Sequence, residues 1–224
     1  MRTHSLKLDL HTHSVDSPDG GISRAQYQKL LHNGTLDVIA VTDHNTIRFA
    51  QLLQREFGNR IIVGEEVTTT GGDLVGLFLE KAIPKGLAPL EAAQRIKDQG
   101  GIVYIPHPFE SVRSGLQAND LETIVDLVDI VEIYNGRALF QNKSKQALLW
   151  ARLHGKAGAS SSDAHGVRGA GRAYTVVGKQ PTAHNIVQLL QRPEFALGKP
   201  TIRSVLYPKY HRIRQRVRQS RSAA

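Results

Sequence analysis

The sequence predicts an α/β fold, a distorted seven-stranded (β/α)7 TIM-like barrel. Three observations predict it. Short apolar runs of strand length alternate with helical segments, the pattern of parallel strands with helices outside. The hydrophobic fraction of 40% over 224 residues is enough for one sizeable core. Most decisively, a histidine or carboxylate follows the C-terminal end of almost every strand. In a (β/α) barrel those ends converge on one rim, where active sites are built. An open sheet would spread them along a line.

The elements follow in order. Leu6–Leu10 reads as the first strand, leading into Asp9-Leu10-His11-Thr12-His13. Ser14–Gly21 is a loop with the turn residues Ser17-Pro18-Asp19-Gly20-Gly21. Ser23 caps a helix carrying Leu30 and Leu31 and ended by Gly34. Asp37–Thr42 is nearly all apolar, as suits a parallel strand buried on both faces, and ends in Asp43-His44. A helix from Thr46 to Phe57 stops at Gly58. Ile61–Gly64 is the third strand, ending in Glu65-Glu66, and Gly71-Gly72 turns a hairpin between Val67–Thr70 and Asp73–Leu79.

Pro89 opens a helix that runs to Gln99. Ile102–Ile105 is the fourth strand, ending in Pro106-His107-Pro108. Leu116–Asp120 is a loop and Leu121–Leu127 a short helix. Asp129–Ile133 is the fifth strand, followed by Glu132/Asn135 and Arg137 at its end. A long helix over Gln141–Leu153 has Leu148, Leu149 and Leu153 on its apolar side, with Trp150 assigned to packing. Lys156–Ser160 is the sixth strand and ends in Ser162-Asp163-Ala164-His165. Tyr174–Val177 is the seventh, and Ala183–Leu190 a last helix.

Residues 1–200 form the expected domain, with 201–224 as a basic C-terminal extension. Lys209–Ala224 holds six Lys/Arg and no acid, so without it the net charge falls from +9 to +3. Such a tail is commonly a solvated end, and it also suits a polyanion such as nucleic acid. No apolar run approaches the ~20 residues of a membrane helix, and the N-terminus lacks a signal-peptide pattern. The expectation is a cytoplasmic protein without membrane contact. There is no cysteine, so thiolate ligands and disulfides are excluded.

The rim candidates are His11, His13, Asp19, His44, Glu65, Asp73, His107, Asp163 and His165. Five imidazoles and four carboxylates are too many for one ion and suit two or three, with a carboxylate such as Glu65 bridging. His/Asp/Glu donors favour Mn, Zn, Fe or Mg. Clustered ions can activate a water and stabilise both oxygens of a displacement at phosphorus. Asp9 and Asp43, each preceding a histidine, read as carboxylates that orient the imidazoles. Arg137, Arg168 and Arg172, after the fifth and sixth strands, offer bidentate contact to phosphate, and Arg113 is a weaker candidate. His32 and His154 sit at helix ends, where a cation suits the dipole. His4, His184 and His211 have no partner in the sequence pattern.

As an ordered set, Asp9-Leu-His-Thr-His13 with Ser-Pro-Asp19-Gly, Val-Thr-Asp43-His44-Asn-Thr, Gly-Glu65-Glu-Val, Pro-His107-Pro and Ser-Asp163-Ala-His165 resembles the polymerase and histidinol phosphatase (PHP) family. The similarity spans residues 6 to 180. It implies a distorted seven-stranded barrel with a trinuclear metal centre and phosphoesterase activity. His11, His13, Glu65 and Asp163 would bind one metal. Glu65, Asp73 and His107 would bind a second, and Asp19, His44 and His165 a third. The departure is Asp73, where many members carry histidine; the added negative charge shifts preference toward harder ions such as manganese. Aspartate at position 19 is a common alternative.

Within the family the chain looks most like the short stand-alone phosphoesterases, including those acting on nucleoside 3′,5′-bisphosphates and short RNA ends, with histidinol phosphatase as a further alternative. The reading is therefore a metal-dependent phosphomonoesterase for a phosphorylated small molecule or nucleotide, with His11, Glu65, His165, Arg137 and Arg168 in catalytic roles. The alternatives are a nuclease acting on diesters or nucleic-acid ends and a non-catalytic, metal-stabilised binding module.

Overall fold

A computed structural model describes residues 5–139, 141–201 and 206–208. The basic run from Lys209, with His211, lies outside the described residues, as does His4. Among the described residues, nine strands form a single sheet in the order β7-β6-β5-β4-β3-β2-β1-β8-β9. The expected count of seven is thus too low. The strands are β1 (Leu6–Asp9), β2 (Val38–Val41), β3 (Ile61–Thr68), β4 (Asp73–Leu77), β5 (Ile102–Ile105), β6 (Ile130–Asn135), β7 (Ala157–Ser161), β8 (Ala173–Val177) and β9 (Glu194–Leu197). The longer helices are α1 (Arg24–His32), α2 (Arg48–Phe57), α3 (Pro89–Asp98), α4 (Ala118–Ile124) and α5 (Ser144–Leu153), and α6 is a single turn, Ile186–Leu189.

β1–β2–β3 and β5–β6–β7 pair in parallel, as the alternation of elements requires. The hairpin arm β4 is inserted between β3 and β5, antiparallel to both. β8 runs antiparallel to β1, and β9 antiparallel to β8. β9 has only two apolar side chains in alternation, and both stay largely exposed, which explains its weak signal.

The sheet curls into a nearly closed barrel. At the upper end Thr12 bridges Ala164 in parallel, and the His13 amide donates to the Ala164 carbonyl at 2.9 Å. Lower down, the Thr175 hydroxyl spans β7 and β8. It accepts from the Ser160 amide at 2.9 Å and donates to the Ser160 carbonyl at 3.0 Å.

Side chains alternate across each strand, and the core divides accordingly. Leu8, Val38, Ala40, Ile62, Val75, Leu77 and Tyr104 fill the barrel interior. Ile39, Val41, Ile61, Val63, Val103 and Ile105 face the helices. Helix ends follow their sequence signals: Ser23 and Gln26 form a capping box on α1, and Gly58 ends α2 with φ of 60°. α5 presents Ala147, Trp150 and Ala151 to the core, while Leu149 and Leu153 are 69% and 77% exposed. The expected leucine face is therefore corrected: the Trp150 side of the helix is the buried one. Among the described residues, no helix is long and apolar enough to cross a membrane.

Candidate metal centre

The upper rim of the barrel gathers His11, His13, Asp19, His44, Asp73, His107, Asp163 and His165 as expected. The ninth member is Glu66 rather than Glu65. β3 does not end at Gly64 but runs on to Thr68, so its alternation carries through the pair. Ile62 points into the barrel, and Glu66, four residues on, points the same way. Glu65 faces outward, where its Oε2 accepts from the Ile83 amide at 2.7 Å. Burial without a charged partner raises the Glu65 carboxyl to about 7.

Glu66 lies at the centre of the cluster. Its Oε2 is 3.3 Å from His11 Nε2, 3.2 Å from His13 Nε2 and 3.5 Å from His44 Nδ1, and its Oε1 is 3.1 Å from His107 Nε2. Asp163 Oδ1 is 3.7 Å from His11 Nε2, 3.5 Å from His13 Nε2 and 3.2 Å from His165 Nδ1. Asp19 reaches His44 Nε2 at 3.7 Å and His165 Nε2 at 3.2 Å. The donor atoms fall into four overlapping groups, each spanning no more than 4.8 Å: His11/His13/Asp163, His11/Glu66/His107, His44/Glu66/Asp73, and His13/Asp19/His44/His165.

The surrounding residues fix these donors. Glu132, on the inner face of β6, accepts from His11 Nδ1 at 3.2 Å, from the Tyr104 hydroxyl at 2.8 Å and from the His107 amide at 2.7 Å. A carboxylate can only accept here, so His11 turns Nε2 toward the cluster. Glu132 thus does the work expected of Asp9. Asp9 itself accepts from the Ser162 amide at 3.0 Å and the His11 amide at 3.4 Å, which ties β1 to β7. Asp43 likewise holds backbone and hydroxyl, accepting from the Ser14 amide at 2.6 Å and its Oγ at 2.5 Å. Neither orients an imidazole. His107 and Asp163 have φ of 29° and 49°, uncommon values for residues with a Cβ.

The buried imidazoles and carboxylates of the cluster shift one another's ionisation. Burial pushes His11 and His13 toward neutrality, but Asp163 and Glu66 more than offset this; His11 is held well above its ordinary value and His13 at about 9. Burial would raise both carboxylates, yet the imidazoles of His44, His11 and His107 hold Glu66, and Arg137 with His11, His13 and His165 holds Asp163, well below the usual range. Burial and the neighbouring Glu66 raise Asp73 to about 8.

The donor set fits divalent ions. His11 Nε2 and His13 Nε2 face each other at 3.1 Å, so when both imidazoles are charged they repel, and a shared cation would remove the conflict. His107 brings Nε2 to the cluster, 3.1 Å from Glu66 Oε1, while its Nδ1 is buried without a hydrogen-bond partner.

Two guanidinium groups border the donors. Arg137 Nη1 donates to Asp163 Oδ1 at 3.0 Å and to His165 Nδ1 at 2.9 Å. Arg113 Nη1 donates to Asp163 Oδ2 and to Asn135 Oδ1, each at 2.7 Å, while its other nitrogens grip Glu110. Arg113, the weakest arginine candidate by sequence, therefore sits in the site. Its position after His107 was visible, but not the turn Ser111–Arg113 that folds it back. Arg168 and Arg172 are exposed, and Arg172 Nε donates to the Arg168 carbonyl at 2.9 Å rather than to the cluster. The cleft over the cluster has a volume of about 310 Å³; Glu66, Asp73, His107, Arg113, Arg137 and His165 are among its walls.

A barrel with its catalytic rim built from imidazoles and carboxylates defines a class of metal-dependent hydrolases. Residues 142–193 match a PHP-associated family profile. The chain is 34% identical over 150 residues to an uncharacterised protein of Methanocaldococcus jannaschii, covering 61% of this chain and 88% of that one. Its fold is similar to that of a two-domain protein from Bacteroides vulgatus described as containing a PHP-like metal-dependent phosphoesterase. The TM-score is 0.68 at 20% identity, over 93% of this chain and 70% of that one. It is also similar to the lesion-specific endonuclease Q of Pyrococcus furiosus, with a TM-score of 0.57 at 15% identity, over 86% and 58%. The chain thus carries a PHP-associated match on a fold similar to that of PHP-like metal-dependent phosphoesterases.

Proposed function

We propose that the protein hydrolyses a phosphomonoester of a nucleotide or another small phosphorylated molecule at a centre of up to three divalent ions. The observation that carries this reading is the convergence of nine ligating side chains in four overlapping groups, beside two arginines, in one cleft. His11, His13 and Asp163 would hold one ion with Glu66. Glu66, Asp73 and His107 would hold a second, and Asp19, His44 and His165 a third. Bound ions supply positive charge at the developing phosphoryl oxygens and lower the pKa of water toward neutrality. Glu132 keeps His11 Nε2 aimed at the cluster, while Arg113 and Arg137 offer donors to the phosphoryl oxygens.

Purified protein supplied with Mn²⁺, Mg²⁺ or Zn²⁺ is expected to release phosphate from simple monoesters and nucleoside bisphosphates, and His11→Ala to abolish the release. Unchanged turnover in that variant would sink the assignment. A second reading, a nuclease, is favoured by the likeness to endonuclease Q together with the cationic run Lys209–Ala224. Turnover of an internally placed diester bond faster than a terminal monoester would select it. Stabilisation by metal with no hydrolysis across a broad phosphoester panel would select a binding module instead.

A further inference from the structure

A second cavity opens beside the cleft over the donor cluster. Its volume is about 360 Å³, and Asp73 and Ser114 belong to the walls of both. The tip of the β3–β4 hairpin forms one side, and the segment from Ser111 to Gln117 forms the other. The two sides are locked together. The Asp73 amide donates to the Ser114 carbonyl at 2.7 Å, and Asp73 bridges Gly115 in parallel. A methyl group on Gly72 would lie 2.7 Å from the Ser114 carbonyl oxygen, closer than unbonded carbon and oxygen approach. Thr69 closes the hairpin from within: its hydroxyl donates to the Gly72 carbonyl and accepts from the Gly71 and Gly72 amides at 3.3 and 3.2 Å. Ser114 ends the turn Ser111–Arg113 with φ of 54°, a conformation that a residue with a Cβ keeps only where its surroundings impose it. The cavity is therefore shaped before any ligand arrives, which lowers the ordering cost of binding.

The lining defines what fits. Among the described residues around this cavity, none carries a positive charge or an aromatic ring. It offers a second phosphate no counter-ion and a nucleobase no stacking partner. What it offers instead is neutral polar groups, those of Thr70, Ser111, Ser114 and Gln117. Gln117 Nε2 donates to the Gly115 carbonyl at 2.6 Å, which leaves Oε1 to accept. The Thr70 and Ser114 hydroxyls have no protein partner among the described residues. A hydroxyl both donates and accepts, so such a set matches a ligand that is itself rich in hydroxyls. We infer that this cavity receives the group esterified to the phosphate, and that this group is an uncharged hexose or similar polyol whose phosphoryl end lies at the donor cluster. The inference rests on the phosphoesterase reading and narrows its substrate to sugar and polyol monophosphates. Ser114 stands at the junction, next in sequence to Arg113, so one turn presents a guanidinium to the phosphoryl group and a hydroxyl to the sugar. The volume has room for a hexose. Hydrolysis joins the oxygen of one water to phosphorus, breaks the bond from phosphorus to the ester oxygen, and returns the hexose hydroxyl with a proton of that water.

The test compares the full chain with Ser114→Gly and Thr70→Trp, each supplied with Mn²⁺. Glycine accepts the left-handed backbone, so Ser114→Gly removes a hydroxyl and keeps the turn. Position 70 is exposed, so tryptophan there fills the cavity without entering the core. The substrates are glucose 6-phosphate, methyl phosphate and adenosine 3′,5′-bisphosphate. In the parent chain kcat/KM for glucose 6-phosphate should exceed that for either other ester by about tenfold or more. The ratio of glucose 6-phosphate to methyl phosphate should fall about two- to tenfold in Ser114→Gly, the worth of one neutral hydrogen bond. In Thr70→Trp, which blocks the cavity, it should fall further. A ratio that neither variant moves overturns the proposal, and so does a parent chain that prefers the bisphosphate. Calorimetric binding of the non-hydrolysable phosphonate analogue of glucose 6-phosphate needs no turnover. If its affinity follows the same order across the three proteins while no ester releases phosphate, the hydrolase reading fails and the subsite stands. If methyl phosphate is hydrolysed with no advantage for the hexose ester, the subsite fails and the hydrolase reading stands.

Discussion

Four imidazoles lie within 3.5 Å of the Glu66 carboxylate. Two oxygens carry about four acceptor sites, so this one carboxylate is the common partner of all four rings. Replacing Glu66 by Gln should therefore cost the cluster its common acceptor. A ligand present at a hundred times its Kd stabilises by about 2.7 kcal/mol. Thermal melting with saturating Mn²⁺ should show a stabilisation of that order in the parent, little in Glu66→Gln, and nearly the parent value in Glu65→Gln, whose amide can still accept from Ile83. If Glu65→Gln proved the more damaging, the inward orientation of Glu66 would be wrong. Arg113 offers a second check. A charge-assisted hydrogen bond contributes roughly 1.5–3 kcal/mol, so Arg113→Ala should raise KM for a monoester about tenfold or more. Arg168→Ala, at an exposed position, should leave it unchanged.

At the scale of elements, α5 separates apolar content from burial. Trp150 packs inward and its Nε1 donates to Glu122 at 2.9 Å, whereas Leu149 beside it is 69% exposed. Trp150→Ala should cost about 3–5 kcal/mol, as large aromatic truncations do, and Leu149→Ala less than about 0.5 kcal/mol. Denaturant melts of the two variants would show whether the helix presents the face described. Leucine content misled the sequence reading here because the helix packs through small residues, Ala147 and Ala151, that carry little hydrophobic signal. The same physics governs what else was legible. β2 and β5 were clear because strands buried on both faces are apolar throughout. β4 was seen as a hairpin arm, but its insertion between β3 and β5 depends on long-range pairing that local pattern does not encode. The site residues at strand ends were visible almost to the position. The Glu65/Glu66 choice turned on where β3 stops, and only the inward parity of Ile62 and Gly64 decides it. Glu132 looked like a strand-end residue, and its grip on His11 required the register of β6 against β1 across the barrel.

On the scale of the whole molecule, the metal-free rim couples folding to pH in one direction above pH 6.5. His13 is raised from 6.5 to about 9, and His11 shifts the same way. Their contribution is complete below the unfolded value and disappears as pH climbs through the folded one. Asp73 is raised to about 8, Asp9 and Glu65 to about 7; the fold favours their neutral forms, so this too is lost as pH rises. Glu66 and Asp163 are shifted down, and their contribution is already complete well below pH 6.5. His44, lowered to about 4, and His165, also lowered, oppose the trend only while the unfolded imidazoles finish titrating just above pH 6.5. The raised groups outnumber them, so the chelated protein should lose stability across the window to pH 9. Bound ions reverse the balance, because they need the imidazoles neutral and the carboxylates ionised, and binding releases the protons that the apo cluster holds. The stabilisation conferred by Mn²⁺ should therefore grow across the same interval. Melting temperatures measured from pH 6.5 to 9, with chelator and with Mn²⁺, should diverge as pH rises. Parallel curves would mean that the imidazoles and carboxylates of the rim do not hold the metal.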